Sequence, residues 1–264
     1  MSINLDAFPL QRIFFAIMKP EPFDTRNNAA EPRNSGLTLS IVVPAYNESE
    51  NLNDAIRMIA SGIPCSVSDH EIIIIDDGSR DATAEIIHGL VASNRKIRGI
   101  FHDVNRGKGA ALSSGFREAR MEWVLFTDAD LQIQISELPA FLDRTGDRDI
   151  IIGYRLGRRD PFSRKLFSRI YTAIIRFALG FAVRDINCPF KLIRRSFLDS
   201  CDLRSRGFFI DTELMHTAFG NKLRIEELGV ACQPRQHGES TVRFRHVTET
   251  VRELFELMNR RPAP

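Results

Sequence analysis

The chain has 264 residues, 43% hydrophobic and 27% charged, with a net charge of +2. That is enough apolar material for one large α/β domain with a proper core, and too little net charge to argue for a nucleic-acid partner. Its four cysteines (Cys65, Cys188, Cys201, Cys232) have neither zinc-ligand nor redox spacing, which fits reduced thiols in a cytosolic protein, and no uncharged apolar run is long enough to span a bilayer.

Residues 1–36 read as an appendage. Pro20, Pro22, Asn27, Asn28, Pro32 and Gly36 make most of it loop, and residues 10–18 have the pattern of a short amphipathic helix. The apolar stretch 13–18 lacks the basic start and small-residue cleavage site of a signal peptide. From Leu39 the pattern is regular. Residues 39–43 predict a strand ending at Pro44, and 48–60 a helix with Leu52, Ala55, Ile56 and Ile59 on one face. A second strand covers 71–75 and ends in Asp76-Asp77-Gly78-Ser79, followed by a helix over 81–92. A third strand over 97–101 leads into a helix opened by Asn105-Arg106-Gly107-Lys108-Gly109. The fourth strand, 123–127, runs into Asp128-Ala129-Asp130. Strands alternating with helices predict a doubly wound, mostly parallel sheet with helices on both faces. Right-handed crossovers then put the ends of all four strands on one edge, where such sheets bind ligands.

The second half alternates less cleanly. Strands are expected at 149–153, 189–193 and 224–231, and a helix at 210–220. Basic residues crowd this half. A long basic amphipathic stretch, 162–183, is apolar at Leu166, Phe167, Ile170, Tyr171, Ile174 and Phe177. It can lie on an anionic membrane or pack on the sheet with a solvated charged face. Residues 247–264 predict a C-terminal helix and tail, with Val251, Leu254, Phe255 and Met258 on one side.

The strand-end loops carry chemistry. Two carboxylates two residues apart, Asp128 and Asp130, can share a hard divalent cation once the chain turns, and Mg²⁺ or Mn²⁺ also take substrate phosphates. In Pro44-Ala45-Tyr46-Asn47-Glu48, Tyr46 can stack on a nucleobase and Glu48 can accept a ribose or base hydrogen bond; alternatively Asn47 caps the following helix. Asp77 can read a base edge while Gly78 provides a turn with positive φ. Arg106 and Lys108 precede a helix whose N-terminus favours phosphate.

These four segments occur in the order and at the spacing of the family 2 glycosyltransferases. They are similar to those of the polyprenyl-phosphate sugar synthases, the dolichyl-phosphate mannose synthase branch. Gly153-Tyr154-Arg155, the segment 185–191, and Arg235-Gln236-His237-Gly238-Glu239-Ser240 extend the resemblance. Ile133-Gln134-Ile135, Tyr154 and Thr241 depart from it, which leaves the sugar and the exact acceptor open. The resemblance implies a GT-A nucleotide-diphospho-sugar transferase fold over 37–246. It implies nucleotide binding by Pro44, Tyr46, Glu48, Asp76, Asp77, Arg106, Lys108 and Asp128, and metal binding by Asp128, Asp130 and Gln132.

The implied reaction moves a hexose from a GDP-mannose or UDP-glucose type of donor to a polyprenyl phosphate, with inversion. An acceptor phosphate is already anionic at neutral pH and needs cations to place it. Arg155, Arg235 and Arg243 are the candidates, with Ser240 beside them. If the acceptor is instead a hydroxyl, it needs a base, and Asp211 and Glu213 are the two choices, left undecided. A third reading is a non-catalytic nucleotide-sugar-binding subunit. For the lipid acceptor, the expectation is a cytoplasmic protein, peripheral on the inner face of the membrane or attached through a membrane-spanning partner.

Overall fold

The computed structural model describes residues 36–157, 171, 174–180, 183–233, 252–257 and 259. The expected appendage, most of the 162–183 stretch, and the residues around Arg235, Ser240 and Arg243 lie outside them.

The first half alternates as the apolar pattern predicts: β1 (Leu37–Ala45), α1 (Leu52–Gly62), β2 (Val67–Asp76), α2 (Thr83–Ser93), β3 (Ile97–Phe101), α3 (Lys108–Glu118) and β4 (Trp123–Thr127). A 3₁₀ turn (Ile135–Glu137), α4 (Leu138–Leu142), β5 (Ile150–Leu156), β6 (Phe190–Arg194), α5 (Arg195–Asp199), α6 (Ile210–Gly220) and β7 (Ile225–Ala231) follow. The seven strands form one sheet in the order β3-β2-β1-β4-β6-β5-β7. All neighbours are parallel except β6, which runs antiparallel to both β4 and β5.

Both faces of the sheet are covered, which is why its strands are apolar almost without interruption. Leu39, Ile41, Val43, Ile72 and Ile74 pack under α1, α2 and α4. Val42, Ile73, Ile75, Val124 and Phe126 face α3, α5 and α6. Ile72 to Ile75 are all fully buried, each stabilising the fold by about 1.5–3 kcal/mol relative to exposure. Helix α3 approaches the sheet closely at Gly115, where a Cβ would stand 2.4 Å from Val42 Cγ1.

Three expectations need correction. Helix α1 starts at Leu52 rather than 48, because residues 46–50 are held by the neighbouring loop. Strand β5 runs on to Leu156, so Tyr154 and Arg155 lie on a strand paired with β7. In the C-terminal helix Leu254 and Leu257 are buried but Phe255 is 63% exposed, so Phe255 is not on the packed side. Within the basic stretch, residues 174–179 are helical. There Ile175 is buried while Ile174 and Phe177 are exposed.

Candidate active site

Register places the first two loops and the aspartate turn side by side. Ala45 lies opposite Asp76, and Val42 opposite Phe126, so β1, β2 and β4 end on one rim. The Asp77 N–H donates to the Ala45 carbonyl (2.9 Å). The loop after β1 is stapled to the loop after β2. Asn47 N–H donates to Ser79 Oγ (2.9 Å), Arg80 N–H to Asn47 Oδ1 (2.8 Å), Glu48 N–H to Thr83 Oγ1 (2.9 Å) and Ser49 N–H to Asp81 Oδ2 (3.1 Å). Asn47 therefore does not cap α1; it ties two loops together, in a left-handed conformation (φ 53°) that asparagine tolerates. Tyr46 is half-buried at this rim, and Glu48 Oε2 accepts from Asn51 Nδ2 (2.8 Å).

Asp76 and Asp77 are both buried. Asp76 Oδ1 accepts the Ser79 N–H (3.0 Å), closing the turn in which Gly78 has φ 71°. Asp77 points at the next loop: it accepts the N–H of Arg106 (3.0 Å), the N–H of Gly107 (2.8 Å) and His102 Nδ1 (2.7 Å). These bonds make Asp77 the anchor of the loop that carries Lys108. The base-edge contact expected of it is not where these bonds go.

The N-terminus of α3 also differs from expectation. The Gly109 and Ala110 N–H groups both point to the Arg206 carbonyl (2.7 and 3.2 Å). Those two donors are thus occupied by protein, and no phosphate seat is built on them. Gly107 (φ 95°) and Gly109 permit this approach, since a Cβ at either would stand 2.4 or 2.3 Å from a carbonyl oxygen of residues 205–206. What remains for a phosphate is the Lys108 side chain. Its Nζ donates to Asp128 Oδ1 (2.7 Å), with the lysine side chain only 16% exposed. Burial disfavours the charge, but Asp128, Asp211 and Asp130 outweigh it and raise the pKa above the ordinary lysine value.

The aspartate turn is tight. Leu131 N–H donates to the Asp128 carbonyl (3.3 Å), Leu131 has φ 44°, and Gln132 N–H donates to Asp130 Oδ1 (3.4 Å). Gln132 O accepts from Gln233 N–H (2.8 Å), and Ile133 bridges Cys232, so the end of β7 is fastened to this turn. Among the described residues no three His, Cys, Asp or Glu side chains converge as a preformed metal cage. Two carboxylates beside Gln132 suit a cation such as Mg²⁺, which characteristically takes one or two carboxylates and completes its shell with water and substrate phosphate.

On the other side, Arg155 forms a two-pronged pair with Asp185 (Nε–Oδ2 2.6 Å, Nη2–Oδ1 2.8 Å), both 11% exposed. Burial opposes the guanidinium charge, but Asp185 wins and raises its pKa. Tyr154 lies under the Arg184 guanidinium at 4.6 Å. Asp211 and Glu213, expected as bases, are 2% and 1% exposed. Asp211 is bonded to the fully buried Lys191, whose Nζ also donates to the Cys188 carbonyl (2.7 Å). Glu213 accepts the N–H groups of Arg204 (3.1 Å) and Ser205 (2.7 Å). Both carboxylates thus fix protein elements.

The family model described as glycosyl transferase family 2 matches residues 40–201. The chain belongs to this family. It is 30% identical over 229 residues to an undecaprenyl-phosphate 4-deoxy-4-formamido-L-arabinose transferase of Aeromonas hydrophila, covering 85% of this chain and 68% of that one. The Pseudomonas fluorescens transferase of the same name is 29% identical, with 85% and 65% covered. Glycosyltransferase AglD of Haloferax volcanii is 30% identical, with 80% and 35% covered. The chain therefore spans about two thirds of the length of the first two and about one third of the last. In fold it is similar to glucosyl-3-phosphoglycerate synthase of Mycobacterium tuberculosis, crystallised with Mn²⁺, UDP-glucose and glycerol 3-phosphate. That likeness has TM-score 0.64 at 20% identity and covers 84% of this chain and 79% of the other.

Within this family 2 domain, sequence reasoning missed His102, and it missed the partners of Arg155 and Asp211. Asp185 and Lys191 stand in the quoted 185–191 segment, but no spacing signal links them to residues 30 and 20 positions away. His102 directly follows β3, and that strand-end position is the signal that could have placed it at the rim.

Proposed function

We propose that the chain is a metal-dependent, inverting glycosyltransferase that moves a hexose from a nucleotide-diphosphate sugar, of the GDP-mannose or UDP-glucose type, to a polyprenyl phosphate. The observation that carries this reading is the contact chain on one rim, from Asp77 through the 106–107 turn to Lys108 and on to Asp128, beside Asp130. A Mg²⁺ or Mn²⁺ ion at Asp128, Asp130 and Gln132 would supply charge neutralisation for the departing nucleoside diphosphate. Lys108, kept protonated, adds a fixed positive charge where the leaving group becomes more negative. Tyr46 and Glu48 stand on the same rim for the nucleoside, and Asp76 and Asp77 act by shaping the loops around it. Arg106 belongs to the same loop as Lys108.

The burial of Asp211 and Glu213 supports phosphate over hydroxyl as acceptor. A hydroxyl needs a carboxylate that can take its proton, and both candidates are engaged in the fold. A phosphate needs only cations. Arg155 is a candidate only through the part of its guanidinium that its pair with Asp185 leaves over, and Arg235, Ser240 and Arg243 are the further candidates from the sequence. No helix among the described residues is long and apolar enough to cross a membrane. The exposed Ile174 and Phe177 on a basic stretch fit peripheral attachment at the inner membrane face, alone or through a spanning partner.

The test is transfer from labelled GDP-mannose, UDP-glucose, UDP-N-acetylglucosamine and a nucleotide-linked 4-deoxy-4-formamido-L-arabinose to polyprenyl phosphate in vesicles. Product linked through phosphate is expected. Product only with hydroxyl acceptors would establish the runner-up, and nucleotide binding with no transfer to any acceptor would establish a binding subunit.

A further inference from the structure

His102 stands just past β3, with its side chain only 5% exposed, and no step of the chemistry above uses it. Its ring bridges two elements of the donor site. Nδ1 lies 2.7 Å from Asp77 Oδ1 and Nε2 lies 3.0 Å from Ser114 Oγ on α3. A carboxylate only accepts, so Nδ1 carries the proton, and in the neutral ring Nε2 accepts the Ser114 hydroxyl. The backbone adds a third tie, since His102 N–H donates to the Asp76 carbonyl (2.9 Å). Asp77 in turn holds the Arg106 and Gly107 N–H groups, and the next residue is Lys108, whose ammonium meets Asp128.

We propose that His102 is a positioning residue for Lys108: by holding Asp77 against α3 it sets the angle at which the 106–107 turn delivers the Lys108 ammonium to the diphosphate of the donor. Three donors share two carboxylate oxygens. Removing the imidazole leaves Asp77 held by the Arg106 and Gly107 N–H groups alone and cuts its tie through the ring to Ser114 on α3, so carboxylate and turn can shift together relative to that helix. Lys108 works at a point in space, so a small displacement lowers the yield of its charge. The inference rests on the proposed function, because it takes the Lys108 charge to act on a nucleoside diphosphate.

The experiment compares wild type, His102→Ala, His102→Asn and His102→Gln. The asparagine amide restores a donor at the Nδ1 position facing Asp77; the glutamine amide places a polar group at the Nε2 position facing Ser114 instead. Nucleoside diphosphate affinity with Mn²⁺ is measured alongside steady-state kinetics. His102→Ala is expected to lower kcat/KM for the donor about 10- to 100-fold, as loss of an outer partner commonly does. The KM for acceptor should stay unchanged. His102→Asn should recover most of the loss and His102→Gln should not. In a Lys108→Ala background His102→Ala should add little, since both act on one charge. Equal donor constants in the asparagine and glutamine variants, or full additivity with Lys108→Ala, would overturn the proposal, and this pair decides even if the alanine variant does not fold. A wild-type chain that binds no nucleoside diphosphate would refute the functional reading itself, a result distinct from these.

Discussion

Lys191 and Asp211 give the sharpest test of how this domain divides structure from chemistry. Lys191 is 0% exposed, Asp211 is 2% exposed, and the two are hydrogen-bonded in the core between β6 and α6. The ammonium also lies 4.8 Å from the centre of the Phe126 ring. Removing one member of such a pair leaves an uncompensated buried charge, at a cost of about 3–5 kcal/mol. For a domain of this size that lowers Tm by roughly 6–20 °C, at about 2–4 °C per kcal/mol. Lys191→Met and Asp211→Asn should each show this loss in chemical and thermal unfolding. The double variant should be no worse than either single one, because the charges leave together and only a buried amide remains, costing about 1–3 kcal/mol. Turnover then separates the acceptor chemistries. If Asp211 serves the fold, the folded double variant still transfers sugar. If Asp211 is a base for a hydroxyl, the double variant is stable and dead. Additive losses of stability would refute the reasoning, since independent contributions would mean that the two charges do not compensate each other.

Asp130→Ala should abolish Mn²⁺-dependent nucleotide binding and cut kcat/KM on the order of 10²-fold or more, the equivalent of several kcal/mol of metal stabilisation. Thermal stability without metal should be unchanged, and full activity would defeat the metal assignment. Gly109→Ala should cost about 1–3 kcal/mol by overpacking, because its Cβ would stand 2.3 Å from the Ser205 carbonyl oxygen; an unaltered denaturation midpoint would show that the 205–206 loop is not pinned on α3. For Asp81, desolvation would raise the carboxyl pKa, but hydrogen bonds from Thr83 and Ser49 prevail and hold it at about 2 against an ordinary 3.8. A depressed folded-state pKa contributes stability that is present above 3.8 and lost as pH falls through about 2. Asp81→Asn should therefore be less stable than wild type at neutral pH, with the difference vanishing in acid denaturation curves near pH 2; a constant difference down to that pH would refute the linkage.

The strand–helix alternation was legible because strands buried on both faces must be apolar throughout, and Ile72 to Ile75 or Trp123 to Phe126 cannot be anything else at that length. The rim followed from topology: parallel strands with right-handed crossovers end together, so four weak loop motifs reinforce one another. Direction in the second half was not legible. Phe190 to Arg194 reads as a strand, but its antiparallel placement between β4 and β5 depends on long connections that carry no periodic signal. The role of a carboxylate was the hardest to read. Asp211 and Glu213 in the first turn of a helix look the same whether they face a substrate or hold Lys191 and the 204–205 backbone. Only the partner decides, and the partner is set by packing. Asn47 failed in the same way: a good capping residue next to a helix, it found better donors across the rim than along its own chain.

The charges behind the rim have a consequence for donor binding. The carboxylates Asp130, Asp128 and Asp211 all favour the Lys108 charge, and Lys191 neutralises Asp211 from within the sheet. Three carboxylates against two ammonium groups leave one net negative charge, which repels a nucleoside diphosphate. One divalent cation reverses the sign, so donor affinity should depend on metal more steeply than a single coordination contact would require. The core pair then acts at a distance. Lys191→Met makes the rim more negative by one charge, and Asp211→Asn makes it less negative by one. Across about 10–20 Å at an effective dielectric of about 20, one charge is in general worth on the order of 1 kcal/mol, or roughly fivefold in affinity. Both substitutions weaken the fold, yet Lys191→Met should loosen nucleoside diphosphate binding in Mn²⁺ and Asp211→Asn should tighten it, with the difference shrinking only modestly in high salt because the groups are buried. Titration calorimetry on the two folded variants decides the matter: a shift of the same sign in both would mean that damage to packing, and not the field of the buried pair, reaches the donor site.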